Sequence, residues 1–544
     1  MTAAGSLSSP EISPATLAAW ARHMGVSAVE PLSLRRRLGA GTLPAAFSSM
    51  ARRRAEVPAL TIGDSTLRHG ELDAAAGVSA AALSVLGSGP GEAVMLIAGT
   101  AMPEVVAYLG ILRTGAAVVL TNPTSTPTEV ERIAAASRAK IVIGAGEGLR
   151  ACATARLPGV SELVGLGEDD RHSASVLLSE IAAESMGVPD IEPDSPAILA
   201  FTSGTTGTPK CAPLSHRNLL ASTRGVMWAW RWSGDDHLVH ALPISHQHGL
   251  SGIHATLLGG SRATIIAHFE SDALLGTISN DNASVLFAVP AIHQRLLADL
   301  REDAGRLGSL RLVTSGSAPL PIDTARQFEE ATGQRIVERY GTTESGLDVS
   351  NPYDGDRIPG QVGLPLPGVE ISIVDDDGEQ VHPGEPGEIL VRGPQVFAGY
   401  RDEGSDVFLA GWFRTGDDGL IDPASGYLSV VGRRKEMIIT GGMNVYPREV
   451  EEAIRRAPDV VDVAVVGLPS ERWGEEVVAF VMPETLDVEA LSAAVARDLA
   501  PYKRPKRILP IRELPQSAMG KTDRAKLVEF AVSSGGWMSP SSGI

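Results

Sequence analysis

The stretch TSGTTGTPK, from Thr202 to Lys210, is the most informative part of this 544-residue chain, because it directly follows the apolar run AILAF at 197–201. An apolar run of this length predicts a buried strand. Glycines and small hydroxyl residues after a strand leave N–H groups and hydroxyls free to surround a polyphosphate, and the terminal lysine adds a positive charge. The stretch therefore predicts a site for a nucleoside triphosphate, or else an ordinary surface turn rich in glycine and threonine.

Composition indicates an ordinary globular enzyme. The chain is 43% hydrophobic and 21% charged, with a net charge of −18, which argues against sequence-independent nucleic-acid binding. No apolar run approaches the ~18 residues that span a bilayer, and the first twenty residues lack the features of a signal peptide. The two cysteines, Cys152 and Cys211, have no CxxC or metal-like spacing, so we expect a cytoplasmic protein without disulfides or structural zinc.

Short apolar runs alternate with alanine-rich helical patterns, as is typical of parallel α/β layers. The predicted strands lie at 93–97, 117–120, 140–143, 197–201, 284–289 and 310–313, and two predicted helices lie at 103–113 and 128–137. From about Ile358, short alternating strands with Gly/Pro turns predict a barrel or hairpin region. After Gly432 a small pattern follows, with helices near 447–456 and 488–499 and strands near 460–466 and 476–482.

The predicted fold class is therefore α/β. A large N-terminal domain of layered αβ subdomains, with a small β-barrel-like region, precedes a small mobile α+β domain. The expected divisions are an N-terminal extension at 1–41, the large domain at 42–432 and the small domain at 433–544.

Four further strings follow the glycine-rich stretch in a fixed order: RYGTTES at 339–345, GWFRTGD at 411–417, GRRKEMIITGGMNVYPREVE at 432–451 and MGK at 519–521. Together the five strings resemble the adenylate-forming superfamily of acyl-CoA synthetases, aryl-CoA ligases, luciferases and peptide-synthetase adenylation domains. The resemblance covers roughly 42–526. It implies that ATP and Mg²⁺ activate a carboxylic acid as an acyl-adenylate, whose acyl group then passes to a thiol such as that of CoA.

The resemblance implies a role for each motif residue. The glycine-rich loop would hold the β- and γ-phosphates, Glu344 would ligate Mg²⁺, Thr343 would contact the α-phosphate and Tyr340 would stack on adenine. A purely structural Tyr–Thr–Glu turn is the alternative. The predicted nucleotide-binding residues of the large domain are Thr202, Ser203, Gly204, Thr205, Thr206, Gly207, Lys210, Ser315, Gly316, Ser317, Tyr340 and Gly341.

The resemblance also implies roles for residues of the last three strings. Asp417 would accept both ribose hydroxyls, with Arg433 as its companion. Lys521 would bridge the substrate carboxylate and the α-phosphate, unless it is simply a surface lysine. Lys435 would be the hinge about which the small domain rotates. In the second state the thiol tunnel would be lined by the loop that carries Gly441, Gly442 and Asn444.

Acid selection depends on two further segments. His246 and His248 in LPISHQHG occupy the superfamily's histidine-bearing segment, in which the first histidine is usually a gate; packing is the alternative role. Arg295, with TSGSAPL at 314–320, resembles the pattern of malonyl-CoA and methylmalonyl-CoA synthetases, in which an arginine pairs with the distal carboxylate. On its helix Arg295 lies near the apolar face, so we expect a partly buried guanidinium that needs an anionic partner. Alternatively, it reaches solvent or pairs with a protein carboxylate.

Three functions remain open. The first is a ligase that joins a small dicarboxylate or another short acid to CoA. The second is a fatty or aryl acid ligase of specialised biosynthesis, which passes the adenylate to a carrier protein or an amine; Cys211 and Ser245 replace a usual glycine and a usual aromatic residue, which fits a specialised substrate. The third is a nucleotide-binding regulator without catalysis, against which the intact Glu344, Asp417 and Lys521 argue.

Overall fold

The computed structural model describes residues 12–202, 210–300, 304–401, 407–441, 443–470, 472–516 and 522–533. The described residues fall into two compact units. The first lies within Met1–Ser372, Leu390–Arg414 and Ala424–Leu428, and the second within Ile373–Ile389, Thr415–Pro423 and Ser429–Ile544. No helix in these ranges has the length and apolar character needed to cross a membrane.

The helices are α1 (Pro14–Met24), α2 (Pro31–Leu38), α3 (Leu43–Arg53), α4 (His69–Val85), α5 (Met102–Thr114), α6 (Pro127–Ser137), α7 (Gly146–Thr154), α8 (His216–Ala229), α9 (Gln247–Gly259), α10 (Ser271–Asn280), α11 (Pro290–Asp299), α12 (Ile322–Thr332), α13 (Pro447–Arg455), α14 (Val488–Asp498) and α15 (Arg524–Ser533).

The strands are β1 (Pro58–Ile62), β2 (Ser65–Arg68), β3 (Ala93–Ile97), β4 (Ala117–Thr121), β5 (Ile141–Gly144), β6 (Glu162–Gly165), β7 (Val176–Leu177), β8 (Pro196–Thr202), β9 (Lys210–Ser215), β10 (His237–His240), β11 (Arg262–Ile265), β12 (Val285–Ala288), β13 (Leu312–Ser315), β14 (Val337–Tyr340), β15 (Val349–Ser350), β16 (Leu364–Pro365), β17 (Glu370–Val374), β18 (Gly387–Arg392), β19 (Phe408–Leu409), β20 (Trp412–Ile421), β21 (Leu428–Arg433), β22 (Ile438–Thr440), β23 (Met443–Val445), β24 (Asp462–Ser470), β25 (Gly474–Met482) and β26 (Arg507–Pro510).

A seven-stranded sheet of the first unit has the order β7-β6-β5-β3-β4-β8-β9. Its strands pair in parallel from β7 to β8, and β9 returns antiparallel to β8. All five residues of β3 are buried, as expected for a parallel sheet with helices on both faces. The antiparallel pair β8–β9 ends at Thr202 and Lys210, which face each other across the ladder.

A nine-stranded sheet of the same unit has the order β16-β15-β14-β13-β12-β10-β11-β1-β2. Strands β10, β12, β13 and β14 pair in parallel. Parallel strands end at the same edge of a sheet, which is where open α/β folds place their ligands. Ser315 ends β13 and Tyr340 ends β14, so the strings TSGSAPL and RYGTTES meet at this edge.

The remaining strands form two smaller sheets. One has the order β17-β18-β20-β19, with β21 beside β20; it corresponds to the region predicted to form a barrel or hairpins. The other, within the second unit, has the order β23-β22-β25-β24, with β26 parallel to β25. One apolar cluster of this unit contains Val450, Val465 and Leu491, and another contains Phe480 and Leu527.

The predicted α/β fold with a large N-terminal and a small C-terminal part is confirmed. The six strands and two helices predicted for the large domain correspond to β3, β4, β5, β8, β12, β13, α5 and α6, with ends that differ by at most two residues. Within the predicted N-terminal extension, α1 packs against later parts of the first unit: Trp20 is fully buried and its Nε1–H donates to Val369 O over 2.8 Å.

Candidate active site

The turn after β14 presents the predicted α-phosphate and metal residues. Thr343 and Glu344 lie in this turn, whose two ends, at Gly341 and Gly346, approach each other closely. A Cβ on Gly341 would lie 1.9 Å from Gly346 O, so glycine is required there on steric grounds. Ser345 N–H donates to the Thr342 hydroxyl over 3.2 Å and closes the turn.

Glu344 has a definite partner far along the chain. Its side chain is buried, and Oε1 accepts a hydrogen bond of 2.6 Å from the Tyr400 hydroxyl. Lys210 Nζ lies 5.2 Å from the centroid of the same tyrosine ring, within the range of a cation–π contact. The structure thus joins the predicted loop lysine and the predicted metal ligand through Tyr400, a residue that the sequence did not single out.

These groups fit Mg²⁺. No group of three or more His, Cys, Asp or Glu side chains in the described ranges could hold a metal alone. Mg²⁺ in nucleotide enzymes is commonly bound through one or two carboxylates together with substrate phosphates and waters. Glu344 Oε1 is the carboxylate oxygen that Tyr400 engages, which leaves Oε2 for such a role.

The two segments predicted to select the acid also meet. His248 Nδ1 lies 2.9 Å from Ser317 Oγ, and Ser317 has a positive φ of 68°. Gln247, at the first turn of α9, donates from Nε2 to Thr343 O over 3.0 Å. His246 is the N-cap residue of α9. The strings LPISHQHG, TSGSAPL and RYGTTES therefore share one region of the first unit.

Arg339, the first residue of RYGTTES and the third residue of β14, was not recognised as a functional residue from the sequence. It is only 8% exposed, and its Nε and Nη2 have no hydrogen-bond partner in the described ranges. Its guanidinium carbon lies 5.9 Å from the Trp230 ring centroid and 5.7 Å from that of Phe287. Burial lowers the pKa of Arg339 to about 9. The sequence did carry a signal for this burial. Side chains alternate between the two faces of a strand, so Arg339 lies on the same face as Val337, two residues earlier in a buried strand.

Gly316 packs directly against this arginine. A Cβ at position 316 would lie 3.0 Å from Arg339 Nε, so glycine leaves space beside the guanidinium that a larger residue would fill. Ser315, before it, is buried, and its Oγ has no hydrogen-bond partner in the described ranges.

The expected burial of Arg295 is wrong. The side chain is exposed, and its guanidinium carbon lies 4.4 Å from the Phe269 ring centroid. It lines a surface pocket together with three carboxylate side chains, Glu270, Asp272 and Asp299. A long arginine stem near the edge of an apolar helix face can carry its charge into solvent, and nearby acidic groups make this pocket a poor one for an anion.

In the second unit, the two residues predicted to bind ribose are neighbours. Arg433 Nε lies 2.7 Å from Asp417 Oδ1, and Asp417 N–H donates to Thr415 Oγ1 over 3.1 Å. Lys435 is exposed in the short 3₁₀ turn between β21 and β22. Gly441 has φ +58°, and its N–H donates to Trp473 O over 2.7 Å.

Seven predicted site residues lie outside the described residues: Ser203, Gly204, Thr205, Thr206, Gly207, Gly442 and Lys521. Their roles stay predictions from the sequence.

Comparison with known proteins gives consistent matches. Residues 47–401 match the family described as AMP-binding enzyme, and residues 449–521 match the AMP-binding enzyme C-terminal domain. An indoleacetate–CoA ligase of Aromatoleum aromaticum is 39% identical over 61% of this chain and 67% of its own length. The mitochondrial malonate–CoA ligase ACSF3 of Mus musculus is 34% identical over 64% of this chain and 67% of its own. The crystal structure of ATP-bound MatB from Rhodopseudomonas palustris has a TM-score of 0.83 at 35% identity, over 90% of this chain and 99% of that one.

Proposed function

This chain belongs to the AMP-binding enzyme family and is an AMP-forming acid:CoA ligase that uses ATP, Mg²⁺ and CoA, and we propose that its acid is short and carries a second anionic group, as malonate and methylmalonate do. The observation that carries the proposal is the buried guanidinium of Arg339, whose Nε and Nη2 have no hydrogen-bond partner among the described residues. A buried cation without a partner costs several kcal/mol, an order-of-magnitude penalty that an incoming carboxylate would offset.

The position of Arg339 supports a contact with the acid. Phe287 contacts the guanidinium on one side, and its ring centroid lies 5.8 Å from that of His248. His248 in turn reaches Ser317. The guanidinium therefore lies beside the segments predicted to select the acid. A planar guanidinium can hold a carboxylate through two parallel hydrogen bonds. We assign the distal carboxylate to Arg339 in preference to the exposed Arg295.

The names of the relatives support more than one kind of acid as the substrate of this chain. A relative named for malonate supports a diacid. A relative named for indoleacetate supports the alternative, an aryl or fatty acid. An acid with an apolar distal end would bury its apolar group against an unpaired guanidinium, which is unfavourable. The acceptor is CoA, and a carrier protein or an amine belongs to the alternative.

In the proposed reaction, an oxygen of the substrate carboxylate attacks the α-phosphorus of ATP, and the bond to pyrophosphate breaks. Lys210 and the loop after β8 would hold the departing phosphates, while Thr343 would contact the α-phosphate. Mg²⁺ bound through Glu344 would neutralise phosphate charge. Lys521 would bridge the two reacting groups. The thiolate of CoA then attacks the acyl carbon, and AMP leaves.

We propose that the two predicted domains have separate roles, as the motifs suggest. Residues 42–432 would bind ATP and the acid, and residues 433–544 would bring Lys521 and then the thiol tunnel to the site by rotation at Lys435; residues 1–41 would be an extension. Both cysteines are buried, and the described residues contain no disulfide between them, which fits the reducing cytoplasm as the place of reaction.

The test is turnover with ATP and CoA across matched acids: malonate, methylmalonate, oxalate, propionate, indoleacetate and a medium-chain fatty acid. Malonate and propionate differ only at the distal group, a carboxylate in one and a methyl in the other. We expect diacids to have the highest kcat/KM. Turnover of indoleacetate or a fatty acid with none of any diacid would reject the proposal in favour of the alternative. Pyrophosphate release with acyl transfer to an amine, but not to CoA, would reject CoA as the acceptor.

A further inference from the structure

The Tyr400 side chain makes two contacts with residues of the proposed ATP site. Its hydroxyl donates to Glu344 Oε1 over 2.6 Å, and its ring lies under Lys210 Nζ, 5.2 Å from the centroid. One residue thus links the predicted ligand of the metal to the predicted ligand of the phosphates. Neither contact follows from the motifs, since Tyr400 belongs to none of the five strings.

The segment around Tyr400 is held in place by its own contacts. Phe397 N–H donates to Glu344 O over 2.9 Å, and Arg401 N–H donates to Cys211 O over 2.9 Å. These two bonds attach the segment to the turn that carries Glu344 and to the start of β9, which carries Lys210. The Phe397 ring packs edge-on against Tyr400, with centroids 5.0 Å apart.

The hydroxyl controls the direction of the Glu344 carboxylate. A carboxylate side chain rotates about several single bonds, and a hydrogen bond to one oxygen restricts where the other oxygen points. Partners that orient a metal ligand in this way typically change metal affinity by about 10- to 100-fold when they are removed. The aromatic ring serves a separate purpose, because it holds the lysine cation through its face.

Resting on the proposed role of Glu344 as the magnesium ligand, we infer that Tyr400 is a positioning residue: its hydroxyl orients Glu344 for Mg²⁺ and its ring orients Lys210 for the ATP phosphates. The two contacts use different parts of one side chain. Tyr400→Phe removes only the first, and Tyr400→Leu removes both.

The experiment measures two quantities for each variant. The first is the Mg²⁺ concentration that gives half-maximal pyrophosphate release at saturating ATP and acid. The second needs no turnover: it is the rise in Tm that ATP produces, at a series of fixed Mg²⁺ concentrations and without Mg²⁺. Tyr427→Phe is the matched control, because it also removes a tyrosine hydroxyl that donates within the first unit, to Asp356 O over 2.9 Å.

Each quantity gives a Mg²⁺ midpoint: the concentration for half-maximal pyrophosphate release, and the concentration at which Mg²⁺ has half its effect on the rise in Tm produced by ATP. For Tyr400→Phe we expect both midpoints to rise by about 10-fold or more. The rise in Tm that ATP produces without Mg²⁺ should stay at the wild-type value. For Tyr400→Leu the metal-free effect of ATP should also shrink, because the support for Lys210 is gone. Tyr427→Phe should match the wild type in both midpoints.

Two results overturn the inference. One rejects only the role of Tyr400, and the other also rejects Glu344 as the magnesium ligand. If Glu344→Gln raises the Mg²⁺ midpoints and Tyr400→Phe does not, the positioning role of Tyr400 is wrong while the proposed function stands. If Glu344→Gln itself leaves both midpoints unchanged, Glu344 is not the magnesium ligand, and the proposed metal site falls together with the role of Tyr400.

Discussion

Arg433 Nε lies 2.7 Å from Asp417 Oδ1, which pairs a buried carboxylate at the end of RTGD with a half-exposed guanidinium at the end of β21. The backbone of this aspartate is held within its own string, where Asp417 N–H donates to the Thr415 hydroxyl. A carboxylate has two acceptor oxygens, and a ribose offers two adjacent hydroxyls to such an acceptor.

Replacement of Asp417 by Asn should weaken ATP binding, because the amide offers a neutral acceptor in place of the carboxylate. Hydrogen bonds to charged groups contribute about 1.5 to 3 kcal/mol, so we expect KM for ATP to rise by about 10- to 100-fold. The preference for ATP over 2′-deoxy-ATP should fall at the same time. Asp376→Asn is the control, since Asp376 is an exposed carboxylate that pairs with Arg434. An unchanged preference for ATP in Asp417→Asn would contradict the ribose role.

Replacement of Arg339 by Met keeps the stem volume and removes the buried charge. We expect the ratio of kcat/KM for malonate to that for propionate to fall by about 30- to 1,000-fold, or about 2 to 4 kcal/mol. Arg295→Met is the matched control and should leave the ratio unchanged, because Arg295 is exposed. If Arg295→Met lowers the ratio and Arg339→Met does not, Arg295 is the partner of the distal carboxylate, as the sequence predicted. A higher KM for ATP in Arg339→Met with an unchanged ratio would assign the guanidinium to the nucleotide.

Lys521→Ala should abolish formation of the acyl-adenylate and spare formation of the thioester from a supplied acyl-adenylate, since the proposed bridge between carboxylate and α-phosphate serves only the first step. Pyrophosphate release and CoA consumption measure the two steps separately. Lys526→Ala is the control, because Lys526 is an exposed lysine that pairs with Asp523 at 3.3 Å. Equal loss of both steps in Lys521→Ala would reject the proposed role.

Lys435→Pro should block thioester formation while ATP–pyrophosphate exchange survives. Proline restricts φ at its own position and limits the residue before it, and Lys435 lies in the exposed turn between two strands of the second unit. Lys435→Ala removes the charge without the backbone restriction and should keep both steps. Parallel inhibition of both steps by the proline would show that the rotation is not centred at this residue.

The fold should lose stability in mild acid through its buried histidines. Burial lowers the pKa of His254 to about 3 and that of His216 to about 4, and His254 Nε2 lies 2.8 Å from the Tyr108 hydroxyl. A histidine that is neutral in the fold and has pKa 6.5 when unfolded contributes stability above pH 6.5 that is lost as the pH falls towards the folded pKa. For His254 this amounts to about 2 kcal/mol between pH 6.5 and 5.

Urea unfolding at pH 7, 6 and 5 measures this loss. His254→Gln should show a smaller decrease in unfolding midpoint between pH 7 and 5 than the wild type does, whatever its stability at pH 7. His172→Gln changes an exposed histidine and should behave as the wild type. An identical pH dependence in His254→Gln and the wild type would mean that His254 does not titrate in this range on unfolding.

The structural elements and the chemical class could be predicted from the sequence because both depend on local signals. Buried parallel strands such as β3 are continuous apolar runs, and their length distinguishes them from helices. The five strings carry the residue types that phosphate, ribose and metal require, so their order along the chain sufficed for the enzyme class. For the glycine-rich loop and Lys521, the sequence remains the only basis for a role.

Tertiary structure decided which side chains meet and which are buried. Arg295 and Arg339 each belong to an element with a buried apolar face, yet Arg295 reaches solvent while Arg339 is enclosed by Trp230 and Phe287, which belong to other parts of the chain. Tyr400 reaches Glu344 in the same long-range way. Burial and pairing are set by the elements that pack against a side chain, and periodicity within one strand or helix carries no information about those elements. The distal contact of the acid and the orientation of the metal ligand therefore depend on the packing of the folded chain.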